Sequence, residues 1–289
     1  MDEQTINLTD LIFNSLNELI SKLFSSIDNT IYSLLDDITF VTPDLLKSSS
    51  FQKILGTSST NGILLICNSL VFGFMLYYAI NYLISHLTYS KIDSPKQFVF
   101  KSIIFIAIMN SSLWICEQII NIISIVTDGF SSLSLSLFNT PISFSCFIDN
   151  LNKSIYISSD SFNLFSFDGI VKSFTSFGLT NLVFTYSLRY IMIQIFILLS
   201  PFAFLSLINN SSDWFFRVWL KTFISLLLVQ ILVSLILILS FSINISQDTI
   251  ISKLLYIGII FALTKANSYM KDLFGGISTT IHANLSGFR

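Results

Sequence analysis

Charge is scarce in this sequence. Asp, Glu, Lys and Arg make up only 11% of its 289 residues, where soluble domains carry about 25%. None of the 15 basic residues forms a run and the net charge is −2, which excludes a base-reading nucleic-acid surface, since that needs a Lys/Arg stripe. Cysteine is scarce as well: Cys67, Cys116 and Cys146 are odd in number and far apart. That spacing supports neither a disulfide framework nor a metal-ligand set. The two histidines, His86 and His282, have no carboxylate or cysteine at useful spacing, and Gly275 and Gly276 are followed by no phosphate-binding lysine. No Ser/His pair, paired intramembrane aspartates or other catalytic constellation is visible, so no enzyme activity, metal or cofactor is expected. The opening MDEQTINLTD has no basic stretch ahead of an apolar one, so the first span is expected to act as its own targeting signal.

Apolar residues fill the space that charge leaves. They amount to 53%, with a mean hydropathy of +0.75. The fold class this implies is an all-α integral membrane protein, with lipid as part of its surroundings. Over 8–38, Leu8, Leu11, Ile12, Leu16, Leu19, Leu23, Ile27, Ile31, Leu34, Leu35 and Ile38 recur at spacings of three and four, with acids elsewhere around the helix. That pattern predicts an N-terminal amphipathic helix ended by Pro43, followed by a Ser-rich connection to residue 61. Four runs, 62–85, 98–126, 179–207 and 222–245, each exceed the roughly 20 residues that cross a ~30 Å hydrocarbon layer. A fifth, 250–270, has eleven uncharged residues between Lys253 and Lys265; it is counted as a span, with a re-entrant helix as the alternative. The organisation expected is 1–61 extracytoplasmic helix and linker, 62–126 two spans, 127–178 extracytoplasmic loop, 179–270 three spans and 271–289 tail.

Basic residues in short loops set orientation. Lys91, Lys96 and Lys101 lie in one connection, Arg217 and Lys221 in another, giving an outside N-terminus and a cytoplasmic C-terminus. Within 127–178, FDGIVKSFTSF puts Phe167, Ile170, Val171, Phe174 and Phe177 on one face, as an interfacial helix would. FSSLSLSLF alternates as a strand or a frayed segment does.

Polar residues at depth are the candidate sites. Glu117 is nine residues before the end of its run and Arg189 ten residues after the start of the next. At 1.5 Å per residue both are expected about 14 to 15 Å from their shared loop. Asn110, Glu117 and Asn121 share a face of the second run; Thr185, Arg189 and Ser200 share a face of the third. An ionic side chain at a helix centre costs about 2.5 to 3.5 kcal/mol on insertion scales, so a Glu117–Arg189 contact is expected. Two other readings of Arg189 remain open: snorkelling to headgroups, or lining a conduction path. Pro201 bends its helix, and Trp214, Trp219, Arg217 and Lys221 in SSDWFFRVWLK form an interfacial belt, with Ser211 and Asp213 as helix caps.

The order LLSPFAF, DWFFRVWLKTF, an apolar run containing Gln230, then LLYIGIIFAL and LFGG resembles the TrbL family, the polytopic membrane channel component of bacterial conjugation and type IV secretion systems. The likeness covers about 180–280. It implies a multi-pass subunit of the bacterial cytoplasmic (inner) membrane that assembles with other copies of itself and with scaffold and ATPase subunits. Such a subunit helps a DNA strand with its relaxase, or a protein, to cross, with transient contact to that substrate. By the same likeness Pro201, Trp214, Trp219, Lys221, Gly258, Gly275 and Gly276 are structural elements. A small-solute transporter or channel and a membrane scaffold are the alternatives.

Overall fold

Backbone polar groups that enter hydrocarbon must bond within the chain, and helices do this without help. The computed structural model describes residues 15, 34–56, 62–88, 94–154, 167–209, 212–242 and 250–274, and among them every regular element is helical. Residues 34–39 form a helical turn, followed by a 3₁₀ turn, Pro43–Lys47. The helices are α1 Ser49–Leu55, α2 Ile63–Thr88, α3 Pro95–Asn110, α4 Ser112–Phe138, α5 Phe144–Ser154, α6 Phe167–Leu205, α7 Asp213–Phe241 and α8 Ile250–Phe274. Five helical stretches are long and apolar enough to cross a membrane: Ile63–Thr88, Ser112–Phe138, Gly169–Ile208, Asp213–Phe241 and Ile250–Phe274. This is the build of a multi-pass membrane protein.

The boundaries differ from the hydropathy runs for local reasons. The 98–126 run straddles a break: α3 ends at Asn110, and Ser111 takes φ −92°, ψ 5°. Hydrogen bonds persist across it, Ser111 N to Ala107 O and Ile115 N to Ser111 O, so α3 and α4 stay joined by backbone bonds. The second span is therefore 112–138. Much of the expected 127–178 loop is helix. The alternating Ser and Leu residues belong to α4, where Ser132 and Ser136 bond back to the carbonyls of Asp128 and Leu133. Such back-bonding hides the hydroxyls and lets the helix outrun its apolar stretch. Asn139 then stops it in the left-handed region at φ 55°, a conformation that asparagine tolerates better than most residues.

Similarly, the expected interfacial helix is the first part of α6, with Ile170, Phe174 and Phe177 exposed and Val171 buried. The connection 44–61 contains the 3₁₀ turn and α1, whose Phe51 and Leu55 are buried. Most of the expected N-terminal helix, 1–33 apart from the helical Ser15, lies outside the described residues, as does 275–289. In α8, Lys253 is buried and Lys265 exposed, so the two lysines do not share one environment.

α6 and α7 form the centre. Each has 56% of its apolar window buried, against 11% for α2. α4 packs on both central helices from one flank and α8 on both from the other. α2 and α3 run antiparallel, tied by a reciprocal Asn68–Asn110 amide pair at 3.3 Å and by Tyr78 stacked on Phe98 at 3.7 Å. α3 starts with a capping box in which Ser94 and Gln97 bond each other's backbone. One apolar cluster joins the 3₁₀ turn, α1–α4 and the adjoining halves of α6 and α7. A second joins α5, α8 and the other halves.

α5 is held by a tertiary cap. Asp36 Oδ1 accepts from Phe144 N at 2.7 Å and Oδ2 from the Ser145 hydroxyl at 3.4 Å. Burial nevertheless raises the Asp36 carboxyl above its ordinary 3.8, outweighing these bonds. Since the folded value exceeds the unfolded one, folding takes up a proton between them, and stability falls as pH rises through that window. Asp36→Asn should abolish this slope and keep an acceptor for Phe144, so that it matches or exceeds the wild type at neutral pH. Asp36→Ala should cost about 1 kcal/mol through loss of the cap. Thermal unfolding in detergent between pH 4 and 7 checks both.

Candidate functional site

Between the helical turn 34–39 and the 3₁₀ turn, the chain leaves helical geometry while still inside the bundle. Thr39 and Val41 are buried. Their backbone groups lack helical partners, and an unbonded buried amide or carbonyl costs about 1 to 3 kcal/mol. Two long polar side chains supply the missing bonds. Arg189 donates from Nη1 to Thr39 O at 2.9 Å and from Nε to Leu226 O at 2.7 Å. Gln230 Oε1 accepts from Val41 N at 3.1 Å, and its Nε2 lies 3.4 Å from Thr127 Oγ1. This clamp joins the strap at 39–41 to α4, α6 and α7.

The spacing explains the choice of residues. Leu226 and Gln230 are one turn apart on α7, so the carbonyl that receives Arg189 and the amide that receives Val41 stack on one face. Guanidinium suits two acceptors on different chain segments because its donors form a rigid planar fork. Tyr186 and Ile193, a turn to either side of Arg189, are fully buried and fix its face inward. The Tyr186 hydroxyl donates to Leu263 O at 2.8 Å, which ties α8 to the same centre.

Arg189 thus neither snorkels nor meets Glu117. It is 0% exposed, and among the described residues it is paired with no carboxylate. Glu117 is half-buried and its electrostatic neighbour is Lys47, which itself pairs with Asp44 at 2.7 Å in solvent. Both helices run twelve residues past the ends assumed for them, so the depth estimate fails in its premise that those two ends are level. The residue beside Glu117, Cys116, faces Ser200, eleven residues beyond Arg189 on α6 and therefore about 16 Å further along it.

The other expected positions divide. Thr185 and Ser200 are buried on the same helix as Arg189. Asn110 belongs to α3 and pairs with Asn68, so the break at Ser111 separates it from Glu117 and Asn121, which stay one turn apart on α4 with Asn121 exposed. Pro201 is buried within α6, which runs through it and tightens into a 3₁₀ turn, Ser206–Ile208. Trp214 is exposed at the start of α7 and Arg217 pairs with Asp213. Trp219 is core rather than belt: it is 2% exposed and its indole N–H donates to Phe196 O at 2.8 Å. The expected cap is not made by Asp213, which lies inside α7; Ser212 precedes the helix and bonds Ser206 O instead. Lys221 and Gly258 are exposed; Gly275, Gly276 and Ser211 lie outside the described residues. Gln230 is the important residue missed as a site, although a lone glutamine in an apolar run was its signal.

Beside the clamp a cavity of about 720 Å³ is lined by Asp36, Asp37, Asp44, Tyr190 and Gln194 among others. No group of three or more His, Cys, Asp or Glu able to hold a metal occurs among the described residues. The clamp's chemistry is to satisfy backbone at depth.

Arg189→Lys should release one of the two carbonyls and lower stability by about 2 kcal/mol, and Gln230→Leu by about 1 to 3 kcal/mol, by unbonding Val41. Because both hold one strap, the double variant should cost less than the sum. Unfolding in detergent, with protease cutting near residue 48 as a local readout, measures this. Comparison of the chain with family models, with curated proteins and with solved structures finds no match.

Proposed function

We propose that this chain is a non-enzymatic, multi-pass subunit of a translocation assembly in the bacterial cytoplasmic membrane, of the conjugative or type IV secretion kind, with its N-terminus outside and its C-terminus in the cytoplasm. The observation that carries the reading is where the buried polar groups are spent. Arg189 and Gln230 bind the chain's own backbone, which makes the bundle a tied scaffold. A small-solute transporter needs a polar midplane site open to its cargo, usually between repeated halves. Its main support in the sequence was a Glu117–Arg189 pair, and Arg189 is committed elsewhere.

A further feature favours a subunit over a free-standing protein. α2 leaves nearly its whole length for lipid or neighbouring chains, with only 11% of its apolar window buried. Of the residues singled out through the likeness to the TrbL family, Trp219 bonds α7 to α6 and Pro201 is buried, whereas Trp214, Lys221 and Gly258 are exposed. The partners proposed are further copies, the scaffold and ATPase subunits of the machine, and transiently the translocated DNA or protein.

Deleting the chain from a bacterium that carries it should reduce DNA transfer to recipients or secretion of its protein cargo by several orders of magnitude, with restoration by the wild-type chain. Affinity purification from cross-linked membranes should recover the secretion ATPase. Undiminished transfer and secretion after deletion would sink the proposal.

A further inference from the structure

Two side chains of opposite sign stand unpaired on the outside of the bundle. Asp128 on α4 and Lys265 on α8 are both exposed, and neither has an ion pair or side-chain hydrogen bond among the described residues. Three bonds fix their relative height. Gln230 reaches Thr127, Arg189 reaches Leu226 O and Tyr186 reaches Leu263 O. From Leu226 to Gln230 is one turn along α7, and from Arg189 to Tyr186 is one turn back along the antiparallel α6. Thr127, Gln230, Tyr186 and Leu263 therefore share one level. Asp128 follows Thr127 by one residue and Lys265 follows Leu263 by two, so along the bundle axis the charges differ by about 5 Å.

Both are deep. Asp128 is ten residues from the end of α4 at Phe138 and Lys265 nine from the end of α8 at Phe274, about 14 to 15 Å of helix in each case. Aspartate has a single methylene and cannot snorkel that far, and lysine's stem covers less than half the distance. Exposed apolar side chains flank them: Ile125 a turn before Asp128, which has Ser132 a turn after it, and Phe261 and Tyr269 a turn to either side of Lys265. Within one molecule the two cannot meet, because α4 and α8 lie on opposite flanks of the α6–α7 pair.

We propose that copies of this chain associate head to tail in the membrane, Asp128 of one copy against Lys265 of the next. The observation pointing to a second copy is charge complementarity: each flank carries at the same level what the other lacks. Two different faces of one chain make a heterologous contact, which closes into a ring when the rotation allows it. The inference deepens the self-association proposed above by naming its surface, and otherwise needs only that the helices cross a membrane.

Cysteine pairing tests it. With Cys67, Cys116 and Cys146 replaced by alanine, a chain carrying D128C and K265C should give a ladder of oligomers on mild oxidation in native membranes, while D128C or K265C alone should give no ladder. No ladder from the double variant, or D128C chains cross-linking to one another as efficiently, overturns the proposal. Charge reversal is the second arm. D128K and K265D singly should each lower recovery of wild-type-sized oligomer about tenfold, and D128K/K265D together should restore it. Oligomer unaffected by either single reversal also overturns it. A chain that forms the ladder but is dispensable for transfer and secretion would remove the translocation role alone.

Discussion

A buried stretch of backbone that leaves helical geometry must find its bonds elsewhere, and that constraint organises the centre of this molecule. The strap at 39–41 needs an acceptor for Val41 N and a donor for Thr39 O, and Gln230 and Arg189 provide them. Meeting that need requires α6 and α7 at fixed register, because Arg189 must also reach Leu226 O. α4 enters through Thr127 and α8 through the Tyr186–Leu263 bond. Four long helices and a strap are thereby keyed to one level. Apolar packing between helices could not do this alone, since lipid tails compete with it on nearly equal terms.

A fully buried guanidinium bound to neutral carbonyls is unusual, as desolvating a charge is costly unless strong bonds replace its water. Two carbonyl dipoles replace part of that water without a second buried ion, and Nη2 is left with no hydrogen-bond partner among the described residues. The arrangement also differs in kind from a transport site, where polar groups at depth remain open to cargo. Charges outside the centre follow another rule. Asp44 with Lys47, and Asp213 with Arg217, pair locally and outside the buried core, where such pairs contribute little. Asp128 and Lys265 fit neither pattern, which is why a second copy is the natural place to seek their partners.

Helical class and the number of spans were legible from hydropathy because crossing a bilayer demands about 20 apolar residues in a row. Boundaries were less so. Serines in 132–136 read as strand-like alternation, yet hydroxyls that bond back to the helix carbonyls carry α4 on to Phe138. Ser111 looks ordinary in a continuous apolar run, yet its φ of −92° and ψ of 5° separate α3 from α4. Trp219 read as an interfacial anchor because tryptophan favours headgroups, whereas a carbonyl at Phe196 within reach of its indole N–H makes it core.

The sequence by itself determined that the chain is a helical, multi-pass membrane protein and that Arg189 had to be bonded or hydrated, since composition and transfer energies decide both. Which group bonds Arg189 was decided only by tertiary structure. Residues 39 and 189 are 150 positions apart, and no periodicity in either segment records that the N-terminal chain turns back into the bundle. Pairing Arg189 with the one acid in the neighbouring run followed from charge alone; the carbonyl of Thr39 carries no mark in the sequence, because every residue has one.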